Sequence, residues 1–313
     1  MTKRVEAFGN KFTTTGTRVN SSGETEVKAT AGILEQIVVF DNGADCTLTV
    51  ANGNSVLGIA PLTGDLPRVI DCGIDCDDSI KVTLSGNDPA INWYKLDSTS
   101  GSTGTDSGSE ANADLTLHNM EAGDWVDGKL GQCLNFGGVD EYAATAAPVI
   151  ATSSLPFTIC FWVNITDPST TCYFFNQGGY FKMWQQTNDY LFFYTGRTSS
   201  AHVHIYHVDL VNDIFTANTW HHLAISGDGT QLAAGYSVYL DGNKVNMAVQ
   251  KDAFNGTKTY DVFNIGASSL VGKMDDVRVY GSVITEEAIE HIYNSGSGRS
   301  DDYSMADVLV VYE

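Results

Sequence analysis

The sequence predicts an all-β chain that folds as two β-sandwich domains. Short stretches that alternate apolar and polar residues recur throughout and end at turns rich in Gly, Asn and Asp. Glycine is abundant (31 residues) and proline is scarce (6), which is typical of many tight turns without a proline-rich stalk. With 313 residues, the chain is long enough to bury a core in each of two domains.

Strand signals dominate residues 1–97, which are predicted to form a small antiparallel β-sandwich. The apolar segment Ile33–Phe40 ends at an Asp-Asn-Gly turn, and residues 46–50 alternate polar and apolar side chains before an Asn-Gly turn. Ile80–Leu84 and Ala90–Tyr94 are two further strand-like segments separated by a polar turn. No stretch of this half shows helical periodicity.

Two polar segments divide the rest of the chain. Residues 98–112 contain no large apolar side chain, so they are predicted to form a flexible Ser/Gly linker. A second domain is predicted at residues 113–294. Beyond it, residues 295–313 are predicted to be a hinge followed by a C-terminal β arm, because the segment 306–312 is apolar and β-prone.

One short helix is predicted near the end of the second domain, at Ile284–Tyr293. Thr285 can act as its N-cap, and the two glutamates that follow complement the positive end of the helix dipole. Ile289, Ile292 and Tyr293 fall on one face, which we expect to be buried.

The chain is strongly acidic, with 17 Lys and Arg against 38 Asp and Glu and a formal net charge of −21. Such a chain repels phosphate backbones, so nucleic acid is not an expected partner. The first residues lack the apolar core of a signal peptide, and no apolar run reaches the roughly 18 residues that a membrane span needs. We therefore expect a protein made in the cytoplasm and not inserted in a membrane.

The six cysteines divide evenly between the two halves of the chain. An odd number on each side cannot pair completely within its own domain, so a disulfide framework is not expected. The spacing Cys72-x-x-x-Cys76 suits a metal clip or a local disulfide, but no second Cys or His pair with zinc spacing accompanies it. The six are Cys46, Cys72, Cys76, Cys133, Cys160 and Cys172.

Patterns that would indicate catalysis are missing from the sequence. Retaining glycosidases need two carboxyl groups about 5–5.5 Å apart. Asp275 and Asp276 are consecutive, so on a regular strand they face opposite sides and cannot cooperate. Neither a Gly-x-Ser-x-Gly elbow nor a His-Glu-x-x-His helix is present. We therefore expect no enzymatic activity, and turnover of a polysaccharide would revive that alternative.

The most distinctive cluster of side chains is aromatic. Residues 190–194 and 202–206 each carry Tyr, Phe or His at alternate positions, and the turn-like segment between them lets the two strands pair as a hairpin. Tyr and His can stack on sugar rings and bind hydroxyl groups. One alternative is that these side chains fill a second sheet interface, and another is that His202-x-His204 holds a metal with a third ligand. The candidate ligand-binding residues are Trp184, Tyr190, Tyr194, His202, His204 and Tyr206.

Several motifs in this half, taken in order, resemble the laminin-G-like, concanavalin A-like jelly roll over about residues 114–294. This resemblance implies a β-sandwich that binds sugars or cell surfaces, with a short helix after its last strand. The motifs are Leu130–Gly138, Glu141-Tyr142, Phe157–Val163, Thr219–Gly229, Val238–Gly242, Asn264–Gly266 and Gly272–Tyr280.

The same resemblance implies a Ca²⁺ ion at the rim of the sandwich, held by carboxylates and backbone carbonyls. The candidates by motif position are Asp140, Glu141, Asp275 and Asp276. A structural ion pair between Asp275 and Arg278 is the alternative. The expected binding function requires no cofactor.

The N-terminal half resembles small β-domains of tailed-phage virion proteins, through residues 29–40, 46–50, 70–73 and 80–96. This resemblance predicts a non-enzymatic protein on the virion surface, a head decoration or a fibre. Its first domain would bind capsid or other virion proteins, and its jelly roll would bind host or environmental glycans. Residues 306–312 would add to a neighbouring sheet edge and support a homo-oligomer such as a trimer. The alternative is a secreted or surface bacterial adhesin that binds carbohydrate.

Overall fold

The structure is a computed structural model of the 313-residue chain. It describes residues 90–299 except 111–112, 139, 188–189, 209–213, 267–268 and the side chain of residue 287. Elsewhere it describes only the backbone of the strands between residues 5 and 85 and at 307–312. Cys46 and the predicted turns near it lie outside the described residues, as do the side chains of Cys72 and Cys76. The chain divides into a first unit, Met1–Asp88 with Tyr303–Glu313, and a second unit, Pro89–Asp302.

The first unit contains two four-stranded antiparallel sheets and a two-stranded ribbon. One sheet has the order β3-β27-β5-β8, the other has β4-β9-β6-β7, and the ribbon is β1-β2. The predicted strands 33–40 and 80–84 lie within β5 and β9. The strands are β1 (Val5–Ala7), β2 (Asn10–Phe12), β3 (Thr15–Val19), β4 (Gly23–Lys28), β5 (Gly32–Asp41), β6 (Thr47–Asn52), β7 (Ser55–Pro61), β8 (Arg68–Cys76), β9 (Ile80–Ser85) and β27 (Asp307–Tyr312).

The second unit is a sandwich of an eight-stranded and a nine-stranded antiparallel sheet. The first has the order β13-β14-β26-β16-β21-β22-β23, with β10 also paired to β26, and the second has β11-β12-β15-β25-β17-β18-β19-β20-β24. The strands are β10 (Asn92–Tyr94), β11 (Thr103–Gly104), β12 (Leu115–His118), β13 (Trp125–Asp127), β14 (Gln132–Gly137), β15 (Tyr142–Thr145), β16 (Phe157–Ile165), β17 (Cys172–Gln177), β18 (Phe181–Gln186), β19 (Tyr190–Gly196), β20 (His202–Val208), β21 (Trp220–Gly227), β22 (Tyr236–Leu240), β23 (Asn243–Val245), β24 (Ala248–Asp252), β25 (Phe263–Ile265) and β26 (Val271–Tyr280).

Aromatic side chains from the two sheets meet in the core of this sandwich. Phe157 on β16 packs edge-on against Phe181 on β18, with ring centroids 5.0 Å apart. Phe161 on β16 and Phe174 on β17 are 5.6 Å apart. These contacts are those of two sheets packed face to face, so the predicted β-sandwich is confirmed for this unit.

The predicted helix is present as α1 (Glu286–Tyr293), and it covers the outer face of the eight-stranded sheet. The Thr285 hydroxyl accepts a hydrogen bond from the Ala288 amide at 3.2 Å, which makes it the N-cap. Ile289 and Ile292 are buried, and Tyr293 stacks on Trp162 of β16 at 5.7 Å. The outer face of β16 is therefore as well covered as its core face.

The described part of the predicted flexible linker, residues 98–110, instead packs within the second unit. β11 in this segment pairs with β12. Asp106 is only 5% exposed, and its carboxylate accepts hydrogen bonds from the Trp93 amide at 2.9 Å and the Asn92 side chain at 2.7 Å. Composition predicted flexibility because the segment lacks apolar side chains, but buried hydrogen bonds hold it in place.

The C-terminal arm also differs from its prediction. β27 lies between β3 and β5 of its own chain, so both of its edges are already paired. It is therefore not available to extend the sheet of a neighbouring molecule in this arrangement. In the preceding hinge, the described residues also pack: the Arg299 carbonyl accepts a hydrogen bond from Arg278, and the Gly298 carbonyl accepts one from Asn294 at 3.0 Å.

Candidate functional site

The predicted hairpin of β19 and β20 presents its aromatic side chains on the outer face of the nine-stranded sheet. The strands pair from Tyr190 opposite Val208 to Gly196 opposite His202. One set of alternating side chains is buried in the core, and the other set is partly exposed. The buried set is Leu191, Phe193, Val203 and Ile205, and the partly exposed set is Tyr190, Phe192, Tyr194, His202, His204 and Tyr206.

Strand register arranges part of this face into a continuous aromatic row, which consists of Tyr173, Trp184, Phe192 and Tyr206 on four successive strands. The Trp184 ring is 5.7 Å from Tyr173 and 5.0 Å from Phe192, with near-parallel planes in both pairs. Because β17 and β19 flank β18, both faces of the Trp184 ring are covered, and the residue is 8% exposed. Trp184 therefore supports the surface and has no free ring face on which a sugar could stack.

A second, polar row runs beside the aromatic row and consists of Lys182, Tyr194, His204 and Lys251, again on four adjacent strands. Residues that face each other across antiparallel strands share one side of the sheet. The Lys182 ammonium lies 5.2 to 5.5 Å from the ring centroids of Trp184, Tyr173 and Tyr194. This half-buried cation is held by aromatic rings.

Burial also changes the protonation of this row. It lowers the pKa of Lys182, and it lowers the pKa of His204 below 6.5 with help from His202 and Lys182. The pKa of His202 is lowered by burial and by Lys251. Both histidines are thus neutral at pH 7 and can act as hydrogen-bond donors or acceptors.

Among the residues that the structure describes, the His202-x-His204 pair has no third ligand of the kind that a metal would need. The two ring centroids are 6.4 Å apart. Within the described residues, no group of three or more His, Cys, Asp or Glu side chains has the proximity to hold a metal ion. What this face can offer is a set of hydroxyl, imidazole and ammonium groups at the tips of closely packed side chains.

Asp275 lies on β26 in the eight-stranded sheet, whereas the β19–β20 hairpin belongs to the nine-stranded sheet. The Asp275 side chain is fully buried. One carboxylate oxygen accepts hydrogen bonds from the Lys129 and Leu130 amides at 2.7 and 2.8 Å. The other oxygen has no partner among the described residues. Burial raises the pKa of Asp275 to about 8, which disfavours the charged form that binds a cation.

Asp276, and not Asp275, forms the ion pair with Arg278. Their closest atoms are 2.9 Å apart, and both side chains are almost fully buried. The Trp93 indole nitrogen donates to the same carboxylate at 2.6 Å. The carboxylate of Asp276 thus already has a cation and a hydrogen-bond donor.

The remaining calcium candidates lie elsewhere. Asp140 is exposed and its backbone carbonyl accepts a hydrogen bond from the Asn119 amide group at 3.0 Å, while the Glu141 carboxylate accepts one from the Gly137 amide. Gly137 faces Val271 in the sheet, four residues along β26 from Asp275. The four candidates are therefore not brought together, and Asp275 and Asp276 do not fit a calcium site.

Four members of the two rows were not predicted as ligand-binding residues, namely Tyr173, Lys182, Phe192 and Lys251. Tyr173 lies on β17, which pairs with β18 as a short hairpin, whereas Lys251 lies on β24, which pairs with β20 across a long stretch of sequence. Alternation at the start of β17, where Cys172 and Phe174 are buried and Tyr173 between them is half-buried, is the signal that could have assigned Tyr173 to the outer face.

Comparisons with known proteins agree with this architecture. Residues 136–290 match the family model of the concanavalin A-like lectin/glucanases superfamily. The match supports the predicted laminin-G-like resemblance over residues 136–290, and the two packed sheets of the second unit have the architecture of a jelly roll. A search of curated protein sequences found no match.

Solved structures show the same fold. The binding domain of Paraclostridial Mosquitocidal Protein 1 matches with a TM-score of 0.52 and 14% identity, over 66% of this chain and 52% of that structure. The binding domain of botulinum neurotoxin serotype D matches with a TM-score of 0.50 and 10% identity, over 66% and 51%. This chain therefore spans about half the length of the structures that it matches.

Proposed function

We propose that the second unit binds glycans, without catalysis, through the outer face of β18, β19 and β20. The observation that carries this proposal is the contiguous set of partly exposed Tyr and His side chains on that face, while the opposite side of the same strands is core. Tyr and His combine apolar edges with hydrogen-bonding tips, which suits the mixed surface of a sugar. The match of residues 136–290 to the model of a lectin-like superfamily supports the same function.

The stacked geometry of the rings sets the mode of recognition. Since Trp184 is covered on both faces, contact is made through the partly exposed side chains of Tyr190, Tyr194, Tyr206 and the two histidines. These groups donate and accept hydrogen bonds and fit the hydroxyls of a carbohydrate. A single site of this kind is weak, so display of many copies on one particle would raise the avidity.

The test is a glycan array probed with the full chain and with tyrosine variants. Tyr206→Phe and Tyr194→Phe remove only a hydroxyl group, and each should weaken binding by about 0.5–1.5 kcal/mol. Tyr206→Phe should leave the melting temperature unchanged, whereas Tyr194→Phe also loses a 3.3 Å hydrogen bond to the Thr198 carbonyl and should lower it slightly. Tyr142→Phe is the matched control, because Tyr142 on β15 stacks on His118 of β12, towards the other end of the same sheet. Binding that is equally affected by all three variants, or absent from every glycan, would contradict the proposal.

At the level of the organism, we propose that the chain is a virion surface protein of a tailed phage, a head decoration or a fibre. The resemblance of residues 1–97 to virion β-domains and the acidic composition support this role. The topology supports it too, because the chain segments before and after the jelly roll belong to the same first unit, which can serve as the anchor to capsid proteins. The protein would be made in the host cytoplasm and displayed on the particle.

Immunoelectron microscopy of purified virions, with an antibody against residues 113–294, tests this location. Regular labelling of particles is the expected result. Label found only on bacterial cells or in the medium would overturn the virion role and favour the carbohydrate-binding adhesin.

Incubation of the array glycans with the protein, followed by product analysis, tests for catalysis, and we expect no cleavage. A calcium titration in the same assay tests whether binding needs the ion.

A further inference from the structure

The polar row places two lysines on a surface whose described neighbours supply no opposing charge. Lys182 and Lys251 lie at its two ends, with Tyr194 and His204 between them. Three strand spacings separate the two lysines, which corresponds to about 14 Å between their backbones. A ligand that crosses the four strands would meet one ammonium group at each end.

Neither lysine forms an ion pair with a described residue, although the chain has 38 carboxylates for 17 Lys and Arg. The groups that perturb the pKa of His202 are Lys251 and backbone carbonyls, and those that perturb the pKa of His204 are His202, Lys182 and Gln250. None of these groups is a carboxylate. The row is thus a local positive surface on an acidic protein.

The environment of Lys182 makes an anionic partner favourable. Its ammonium group is half-buried among three aromatic rings and has lost part of its hydration. A half-desolvated cation without a counterion gains more from a charge-assisted hydrogen bond than a fully hydrated surface lysine does. The rings also restrict the position of the ammonium group, so less side-chain entropy remains to be lost on binding.

We propose that this face selects anionic glycans, with a carboxylate or sulfate group of the sugar bound at Lys182 and a second charge or hydroxyl group reaching Lys251. This inference rests on the proposed glycan-binding function and deepens it. The hydroxyl-rich rings of such a ligand would contact Tyr194, Tyr206 and His204. Because the protein as a whole carries −21, its long-range repulsion disfavours polyanions that do not also fit these groups.

The test is an array at physiological ionic strength, in which each carboxylated glycan is printed beside its methyl ester and each sulfated glycan beside its desulfated form. We expect binding to the charged members of the pairs, and the pattern of carboxylate against sulfate will identify the source of the anion. Lys182→Met keeps the aliphatic stem and removes the charge, so it should weaken binding at least about tenfold. Lys251→Met should weaken it by a smaller factor.

Three controls keep the result interpretable. Lys244→Met removes a charge from the other sheet, where Lys244 is more than half exposed beside Glu286, and it should bind as the wild type does. Lys182→Arg keeps the charge and should retain most of the affinity, which separates loss of charge from misfolding. A single-stranded DNA oligonucleotide of equal charge tests for unselective polyanion binding.

Equal binding of charged and neutralised glycans would overturn the inference while leaving the proposed function intact, provided that the tyrosine variants still weaken it. Equal effects of Lys182→Met and Lys244→Met, or equally tight binding of the oligonucleotide, would overturn it as well. Binding to no glycan at all would overturn the proposed function and this inference together.

Discussion

At the scale of single residues, a β-bulge determines the environment of the acidic pair on β26. Cys160 faces Arg278 and Trp162 faces Asp275, so one residue of β16 opposes two of β26, and Asp276 has a φ of +50°. Met274, Val277 and Val279 are all core residues. The extra residue therefore moves Arg278 out of the core face, on which strict alternation from Met274 would have placed it.

This bulge could not be predicted from the sequence. The expectation that Asp275 and Asp276 face opposite sides assumed a regular pleat, and the pairing of Asp275 with Arg278 rested on motif position alone. In the structure, Asp276 contacts Arg278 and Trp93, while Asp275 accepts from the Lys129 and Leu130 amides. The register that produces the bulge depends on which strand pairs with β26, and that is a tertiary property.

The first prediction concerns the buried ion pair. Asp276→Asn removes the carboxylate that pairs with the buried Arg278 charge, so we expect the free energy of unfolding to fall by about 3–5 kcal/mol. Chemical denaturation followed by Trp fluorescence measures this. The control Lys244→Met breaks an exposed pair and should cost less than about 1 kcal/mol. In the double variant Asp276→Asn/Arg278→Met the loss should be smaller than the sum of the two single losses, and an additive loss would contradict the coupling.

The second prediction concerns pH. Burial raises the pKa of Asp275 to about 8, whereas an unfolded aspartate titrates near 3.9. The folded state therefore holds this proton more tightly, and its contribution to stability is full below about pH 4 and lost as the pH rises towards 8. Asp275→Asn removes the titration, so the stability of the wild type relative to this variant should fall by up to about 1.4 kcal/mol per pH unit in that window. Parallel stability curves for the two proteins would contradict it.

At the scale of elements, alternation of side chains predicted the candidate face well. The period of two in residues 190–194 and 202–206 identified the exposed and buried sides of β19 and β20 and their pairing. It did not reveal that Trp184 is enclosed between Tyr173 and Phe192, since that depends on β17 being the neighbour of β18. Local periodicity predicts which face of the sheet a side chain occupies. Its neighbours on adjacent strands are determined by the order and register of the strands.

The third prediction concerns the glycine that follows β25. Gly266 has a φ of +71°, and a Cβ there would lie 2.3 Å from the Phe136 ring. Gly266→Ala should therefore lower the free energy of unfolding by about 2–4 kcal/mol through backbone strain and overpacking. Gly179→Ala is a matched control, because Gly179 has a φ of +76° with nothing within 4 Å of the added Cβ. Equal losses in the two variants would show that the contact with Phe136 contributes nothing.

At the scale of the whole molecule, the jelly roll is inserted within the first unit. The residues of the second unit lie between β9 and β27, and β27 returns to pair with β3 and β5. Composition indicated two domains and β character near the C-terminus. It could not indicate that residues 98–110 are held by Asp106, or that β27 pairs with β3, almost 300 residues away, because both depend on tertiary contacts.

The fourth prediction follows from this topology. Deletion of residues 303–313 removes a strand that has partners on both sides, so the amides of β3 and β5 should lose protection in hydrogen exchange. Glycan binding and the protection of β16 and β26 should be unchanged, because no strand of the second unit is deleted. Full protection of β5 after the deletion would contradict the pairing of β27.

The same insertion has a consequence for synthesis on the ribosome. Every residue of the jelly roll emerges before β27 does, so the jelly roll can complete its folding while the N-terminal strands still wait for a partner. During that interval β3 and β5 lack the strand that separates them, and unpaired strand edges are prone to associate with other chains. Slow or interrupted translation near the C-terminus would therefore yield nascent chains with a finished jelly roll and an aggregation-prone first unit.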